Sequence, residues 1–338
     1  MGVGRFDSLL LLSFGGPEGP DEVLPFLRNV TSGRGVPDDR LAVVAEQYAR
    51  FGGKSPINDL NRQLLAAVEQ ELAARGHDLP AYWGNRNWHP FVSDTVGDLQ
   101  AAGCRSTVCL VTSAFSSYSG CRQYREDLNQ ACATVSDAPQ IDRVRVFWNH
   151  PEFLGSAAEL LAEAVQQAHL SSSTPVLHSA HSLPMSMAAT SDYLEQLNEA
   201  AVIVNDLAGM EGPSEVVFQS RSGPPSVPWL SPDIDSRLKQ LAAEGATEVV
   251  VHPLGFVADH MEVLFDLDTQ AASIARESGL KMVRTPTVGT HPRFVSMLVD
   301  LVEEAAGLRQ DRPALGTLGP RPDHCSVDCC PAPTRGGS

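Results

Sequence analysis

The chain has 338 residues, 43% of them apolar and 20% charged, an ordinary globular balance with room for two domains of usual size. Its 25 basic and 41 acidic side chains leave a net charge of −16, which excludes the basic footprint needed to bind nucleic acid or to dock on anionic lipid by charge. No run approaches the roughly 18 apolar residues of a membrane span, and Leu9–Leu12 is too short for a signal-peptide core. A cytoplasmic protein is therefore expected, with its seven cysteines as thiols or ligands.

Short apolar runs alternate with longer stretches of helical period, the pattern of βα units around parallel sheets. The first strand is expected over Ser8–Ser13, running into the turn Phe14-Gly15-Gly16-Pro17. Ser55 reads as an N-cap with Pro56 at the first helical position. Ile57, Leu60, Leu64, Leu65, Val68 and Leu72 then form one apolar stripe that Gly76 ends. Strands come next over Ala81–Gly84, Thr107–Thr112 and Val144–Trp148, and an amphipathic helix from Pro151 to Leu170 bridges to a second series. That series comprises Pro175–Ser179, Glu215–Gln219, Glu248–His252 and Lys281–Val283. Two sets of about four strands imply an α/β protein of two Rossmann-like domains, 1–150 and 151–309, each a parallel sheet flanked by helices. In such sheets ligands collect beyond the carboxyl ends of the strands. From Gln310 the chain is rich in Pro, Gly and Arg without apolar period, so 310–338 reads as an irregular C-terminal extension.

Three stretches carry chemistry, and each lies just after an expected strand. In Ser179-Ala180-His181-Ser182-Leu183-Pro184, His181 is placed to act as a base, with an ordinary pKa near 6.5. The alternative is a loop histidine capping the next helix. In the segment Pro253 to Asp268, a helix beginning near Asp259 would set Asp259, Glu262 and Asp266 on one face. A row of carboxylates holds hard divalent cations or relays protons; the alternative is a solvated acidic face near a helix N-terminus. The third stretch, Gln219-Ser220-Arg221-Ser222-Gly223-Pro224-Pro225 with Trp229 beyond, suits a planar acidic ligand and equally an irregular connection.

Together these stretches resemble the ferrochelatase family, whose histidine and glutamate segments are separated by such a Gln-Ser loop. Leu11-Leu12-Ser13-Phe14-Gly15-Gly16-Pro17-Glu18 looks like the family's first strand and porphyrin-contacting loop, and Gln47 to Ile57 like its next signature. The resemblance spans Ser8 to about Leu308 and implies a chelatase-like pair of Rossmann-like domains that inserts Fe²⁺ into a porphyrin in haem synthesis. It implies that His181 takes pyrrole protons, that Glu262 faces it across the cleft, and that Asp266 belongs to the acidic line behind; His181 and Glu262 would both meet the substrate iron. Phe14 stands where some bacterial members carry a tyrosine, so it would form an apolar wall rather than an axial phenolate. Arg50, Ser55 and Tyr124 fall where members bind substrate propionates, which require donors.

Cys325, Cys329 and Cys330 are three thiols within six residues of the extension and read as metal ligands. Their spacing matches no common zinc site, and a fourth ligand is missing locally. Several ferrochelatases hold a 2Fe–2S cluster by three cysteines of a C-terminal extension and one of the body, and Cys121 sits where that body ligand is expected. A zinc site and an incidental tail remain as alternatives. Cys104, Cys109 and Cys132 read as packed thiols.

The Cys-Cys-Pro tail most resembles actinobacterial members of the family, which implies coproporphyrin III as substrate and a downstream haem-pathway enzyme as partner. Protoporphyrin IX is the alternative. Members using that more apolar ring often carry a hydrophobic membrane-dipping lip, and the stretch from Thr31 to Asp39 is not one. A cobalt or nickel tetrapyrrole chelatase would present more histidines. A non-catalytic haem or iron–sulfur carrier would need neither His181 nor Glu262.

Overall fold

Leu9, Leu10, Leu11 and Leu12 are all buried, so β1 (Ser8–Ser13) is covered on both faces, as a strand inside a parallel sheet must be. The computed structural model describes residues 2–33, 35–223 and 226–333. After β1 come α1 (Pro20–Val30), α2 (Asp38–Ala49), α3 (Ile57–Ala74), β2 (Ala81–Asn85), α4 (Val92–Ala101) and β3 (Ser106–Val111). A short π-helical turn, Tyr118–Arg122, runs into α5 (Gln123–Ala133), followed by β4 (Gln140–Arg143) and α6 (Pro151–Gln167). The second series is β5 (Val176–His181), α7 (Met185–Ala188), α8 (Tyr193–Leu207), β6 (Ser214–Gln219), α9 (Ile234–Ala243) and β7 (Glu248–His252). It ends with α10 (Met261–Val263), a π-helix (Leu264–Ala271), α11 (Ala272–Glu277), β8 (Lys281–Arg284) and α12 (Pro292–Ala305).

The two sheets share one topology, with strand orders β2-β1-β3-β4 and β6-β5-β7-β8, and every pairing within them is parallel. In each, the strand order reverses beside the first strand, which opens a crevice at its carboxyl end. In the second sheet that crevice lies between β5 and β7. The residues leaving those strands, His181 and the segment from Pro253 onward, are therefore brought to one place.

One expected strand is displaced. Residues 144–148 form no ladder; the fourth strand is Gln140–Arg143. Val144, Phe147 and Trp148 are buried all the same, because this segment passes through the core on its way to α6. An apolar run reports burial, and hydrogen-bond pairing is a separate matter. The bridging helix also stops at Gln167, short of Leu170.

The last helix packs back on the first half of the chain. α12 lies against α3 and α6, and its Leu298, Leu301 and Val302 share a core with Leu9 and Val108. Arg75 at the end of α3 fixes it with contacts of 2.6 Å to Asp300 and 3.1 Å to Glu303. The described residues of the extension beyond it, to 333, have no regular structure but are held: Leu315 N–H donates to Asn149 O at 2.8 Å, Arg312 pairs with Asp323 at 2.9 Å, and Thr317 bonds Glu199.

Candidate active site

His181 closes β5, and its Nδ1 lies 2.6 Å from Ser182 O. A carbonyl oxygen only accepts, so Nδ1 donates this bond, and in the neutral ring the lone pair is on Nε2. That Nε2 stands 3.6 Å from Glu262 Oε2. The Tyr193 hydroxyl donates to His181 O at 3.1 Å and steadies the backbone behind the ring. Both facing side chains remain partly open to solvent, so a ligand can reach them.

The carboxylates are sorted by what they touch. Asp259 lies ahead of the helix, with His260 as its N-cap, so it does not share a helical face with Glu262 and Asp266 as expected. It pairs instead with Arg284 at 2.9 Å, and the same guanidinium lies 2.9 Å from Asp268. One arginine thus occupies two of the four acids. Asp266 sits on the π-helix, a wide-turned form that recurs at functional sites. It receives a hydrogen bond from the Ser220 hydroxyl and lies 3.4 Å from Gln219 Nε2. Burial pushes its pKa up to about 6; the Ser220 bond opposes this and the nearby Glu262 charge adds to it. His260 is held below its usual range, chiefly by burial.

Aromatic side chains join this helix to the first half of the chain. Phe26, Tyr48 and Met261 share one buried cluster, with Trp88 and Phe265 packed against it. Phe14, more than a third exposed, meets Phe26 edge-on with centroids 6.4 Å apart. Its loop needs glycine, since a Cβ on Gly15, at φ +83°, would lie 2.8 Å from Asn85 Cβ. Arg50, at the end of α2, lies 5.9 Å from the Phe265 ring centre.

The structure therefore brings His181, Glu262 and Asp266 together, with Phe14 and Arg50 linked to them through the aromatic cluster. Ser55 and Tyr124 are placed differently. Ser55 is 3% exposed, and its Oγ accepts from Ile57 N–H at 3.4 Å; α3 begins at Ile57 with Pro56 as its N-cap, one residue later than expected. Tyr124 is 4% exposed in a core with Leu10 and Val96, with the Arg86 guanidinium 4.5 Å from its ring centre. Residues that sequence reading passed over include Arg284 and the Ser220 tether. Ser220 lies in the Gln-Ser loop, of which Pro224 and Pro225 are outside the described residues.

The four tail-associated thiols interact with one another in sequence. Cys121, on the π-helical turn, interacts electrostatically with Cys325, and Cys325 in turn with Cys329, while the Cys329 and Cys330 sulfurs are 3.6 Å apart. The Cys325 contact, helped by Arg143, holds Cys121 down to about 6 against burial. Arg143 donates to Cys121 O at 2.9 Å, while Arg122 and Arg125 grip the carbonyls of Cys325 to Cys329. Among the described residues no three His, Cys, Asp or Glu side chains converge as ligands of one metal ion. Cys109 is fully buried in β3 and pushed up to about 12 by burial.

Two parallel sheets of this topology form a chelatase-like fold. The solved sirohydrochlorin chelatase SirB from Bacillus subtilis subspecies spizizenii, in complex with cobalt, shares the fold with a TM-score of 0.52 at 10% identity, over 89% of this chain and 95% of that one. Sequence narrows this. The ferrochelatase family model matches residues 7–306. A ferrochelatase of Rhodopirellula baltica is 50% identical over 328 residues, 96% of this chain and 93% of that protein. A coproporphyrin III ferrochelatase of Frankia alni is 51% identical over 351 residues, 98% of this chain and 88% of that protein. The chain belongs to the ferrochelatase family of metal chelatases. Among the described residues no helix is long and apolar enough to cross a membrane.

Proposed function

We propose that this chain inserts Fe²⁺ into coproporphyrin III, releasing two protons and Fe-coproporphyrin III. The observation that carries the reading is the 3.6 Å approach of His181 Nε2 to Glu262 Oε2, with Nδ1 engaged by Ser182 O. His181 Nε2 takes the pyrrole protons one at a time, Glu262 stabilises each resulting imidazolium, and each proton passes from it by way of Glu262 and Asp266 to water before the next is taken. The carboxylate oxygens and the imidazole are all acceptable donors to the incoming iron. Phe14 and the aromatic cluster supply an apolar wall for the macrocycle, and Arg50 a cation for a propionate. Ser55 and Tyr124 act from behind this surface, by shaping the loops that carry it. A division into residues 1–150, 151–309 and 310–338, a cytoplasmic setting and a downstream haem-pathway partner belong to the same proposal.

The choice of coproporphyrin III rests on relatives of that name in Frankia alni and Streptomyces griseus, the latter 47% identical over 97% of this chain. A 2Fe–2S cluster held by Cys121, Cys325, Cys329 and Cys330 is part of the proposal. Its support is the chemistry of the donors: four thiols in consecutive contact, one of them acidified, with arginines to offset thiolate charge. The cluster would supply a one-electron couple, and no step of metal insertion passes through it. Anaerobic assay with Fe²⁺ and each porphyrin tests the substrate. Faster turnover with coproporphyrin III is expected, and equal or reversed preference returns the enzyme to protoporphyrin IX.

A further inference from the structure

Asp266 does not stand free in the acidic row; two donors from the strand beside His181 hold it. In register across the second sheet His181 pairs with Gln219, and Ser182 N–H donates to Gln219 O at 2.8 Å, so the chain leaving β6 starts next to the His181 turn. There Ser220 takes the left-handed conformation, φ +61°. For a residue with a Cβ this conformation is strained, and such strain persists where surrounding contacts over-determine it. Here the turn delivers the Ser220 hydroxyl to Asp266 Oδ2, the same oxygen that lies 3.4 Å from Gln219 Nε2. Gln219 is 2% exposed, and its Oε1 is buried without a hydrogen-bond partner, an oxygen left unused beside the carboxylate.

We infer that Ser220 is a positioning residue for iron: its left-handed turn pins one oxygen of Asp266, so that the other oxygen of that carboxylate and Gln219 Oε1 are set to meet the cation on its way to Glu262 and His181. This rests on the iron-insertion reading. A hard divalent cation is held by oxygens of carboxylate, amide and water, and a carboxylate with one oxygen anchored loses less freedom on binding it. The tether engages Asp266 and leaves the macrocycle to the apolar wall. Losing it should therefore weaken iron and spare porphyrin.

The test compares Ser220→Gly, Ser220→Ala and Ser220→Asn in the full-length enzyme, measuring KM for Fe²⁺ and for porphyrin separately, with Tm alongside. Glycine removes the hydroxyl and also relieves the backbone, so a fall in stability cannot account for its effect. Ser220→Gly and Ser220→Ala should raise the Fe²⁺ KM about tenfold and leave the porphyrin KM within about twofold, with Tm undiminished in the glycine variant. Asparagine tolerates the left-handed turn and carries an N–H donor, so it should recover part of the loss. An unchanged Fe²⁺ KM in Ser220→Gly overturns the inference, and so does a porphyrin KM that rises as much as that for iron. A wild-type enzyme that inserts no iron overturns the functional reading and this inference together.

Discussion

His178 and His252 face each other edge-on across neighbouring strands, ring centroids 5.3 Å apart, both buried in the second sheet just behind the cleft. Asn205 holds one ring at 2.8 Å and Thr285 the other at 2.8 Å. Burial keeps both imidazoles neutral: His178 is brought down to about 4 and His252 well below its usual range.

This pair makes stability depend on acid. Between pH 6.5 and about 4 the unfolded chain binds protons on these rings that the folded chain refuses, so stability is full above 6.5 and falls as pH drops. His150, also brought down to about 4, adds to the same slope. Each group contributes up to about 1.4 kcal/mol per pH unit in that window. Urea midpoints at pH 7.5 and pH 5.0 check this. Identical midpoints would mean the imidazoles are not buried as neutral rings.

Replacing His181 by alanine should abolish metal insertion and leave porphyrin binding within a few fold. Proton removal belongs to the reaction, whereas ring binding rests on apolar area and propionate contacts. Turnover and a fluorescence binding titration on one preparation separate the two. Near-normal turnover would take His181 out of the chemistry.

Glu262→Gln keeps volume and removes charge. A loss of at least about a hundredfold in kcat is expected, with an unchanged Tm, since this side chain is half exposed. Activity lost in step with Tm would make the carboxylate structural.

Protein purified without oxygen should be coloured and carry about two irons and two sulfides per chain. Serine at Cys121, Cys325, Cys329 or Cys330 should bleach it, because each thiol is one of the four in contact. Serine at Cys104, Cys109 or Cys132 should not. A colourless native enzyme with full activity removes the cluster and leaves iron insertion standing.

Much of this protein is written locally. Alternation of apolar runs with helical period placed seven of the eight strands near their positions, since burial on both faces of a parallel strand demands a continuous Leu/Val run such as Leu9–Leu12. The histidine after one such run and the acids after another were visible for the same reason. A parallel sheet delivers the residues beyond its strand ends to a common edge. Spacing could not decide which groups meet there and which are already engaged. Val144–Trp148 has a strand's composition yet pairs with nothing, because a core accepts apolar side chains from any backbone. Tyr124 and Ser55 have the right donors but are packed away, Asp259 and Asp268 are occupied by Arg284, and Asp266 is held by a serine whose left-handed turn has no signature in composition. Sequence alone determined the elements, the family and the residue types beyond the strand ends. The facing of His181 and Glu262 and the association of Cys121 with the tail thiols were implied by the family resemblance; the tether on Asp266 and the capture of Asp259 and Asp268 by Arg284 were decided only by tertiary structure, because each joins residues apart in the chain, and their distances are set by packing.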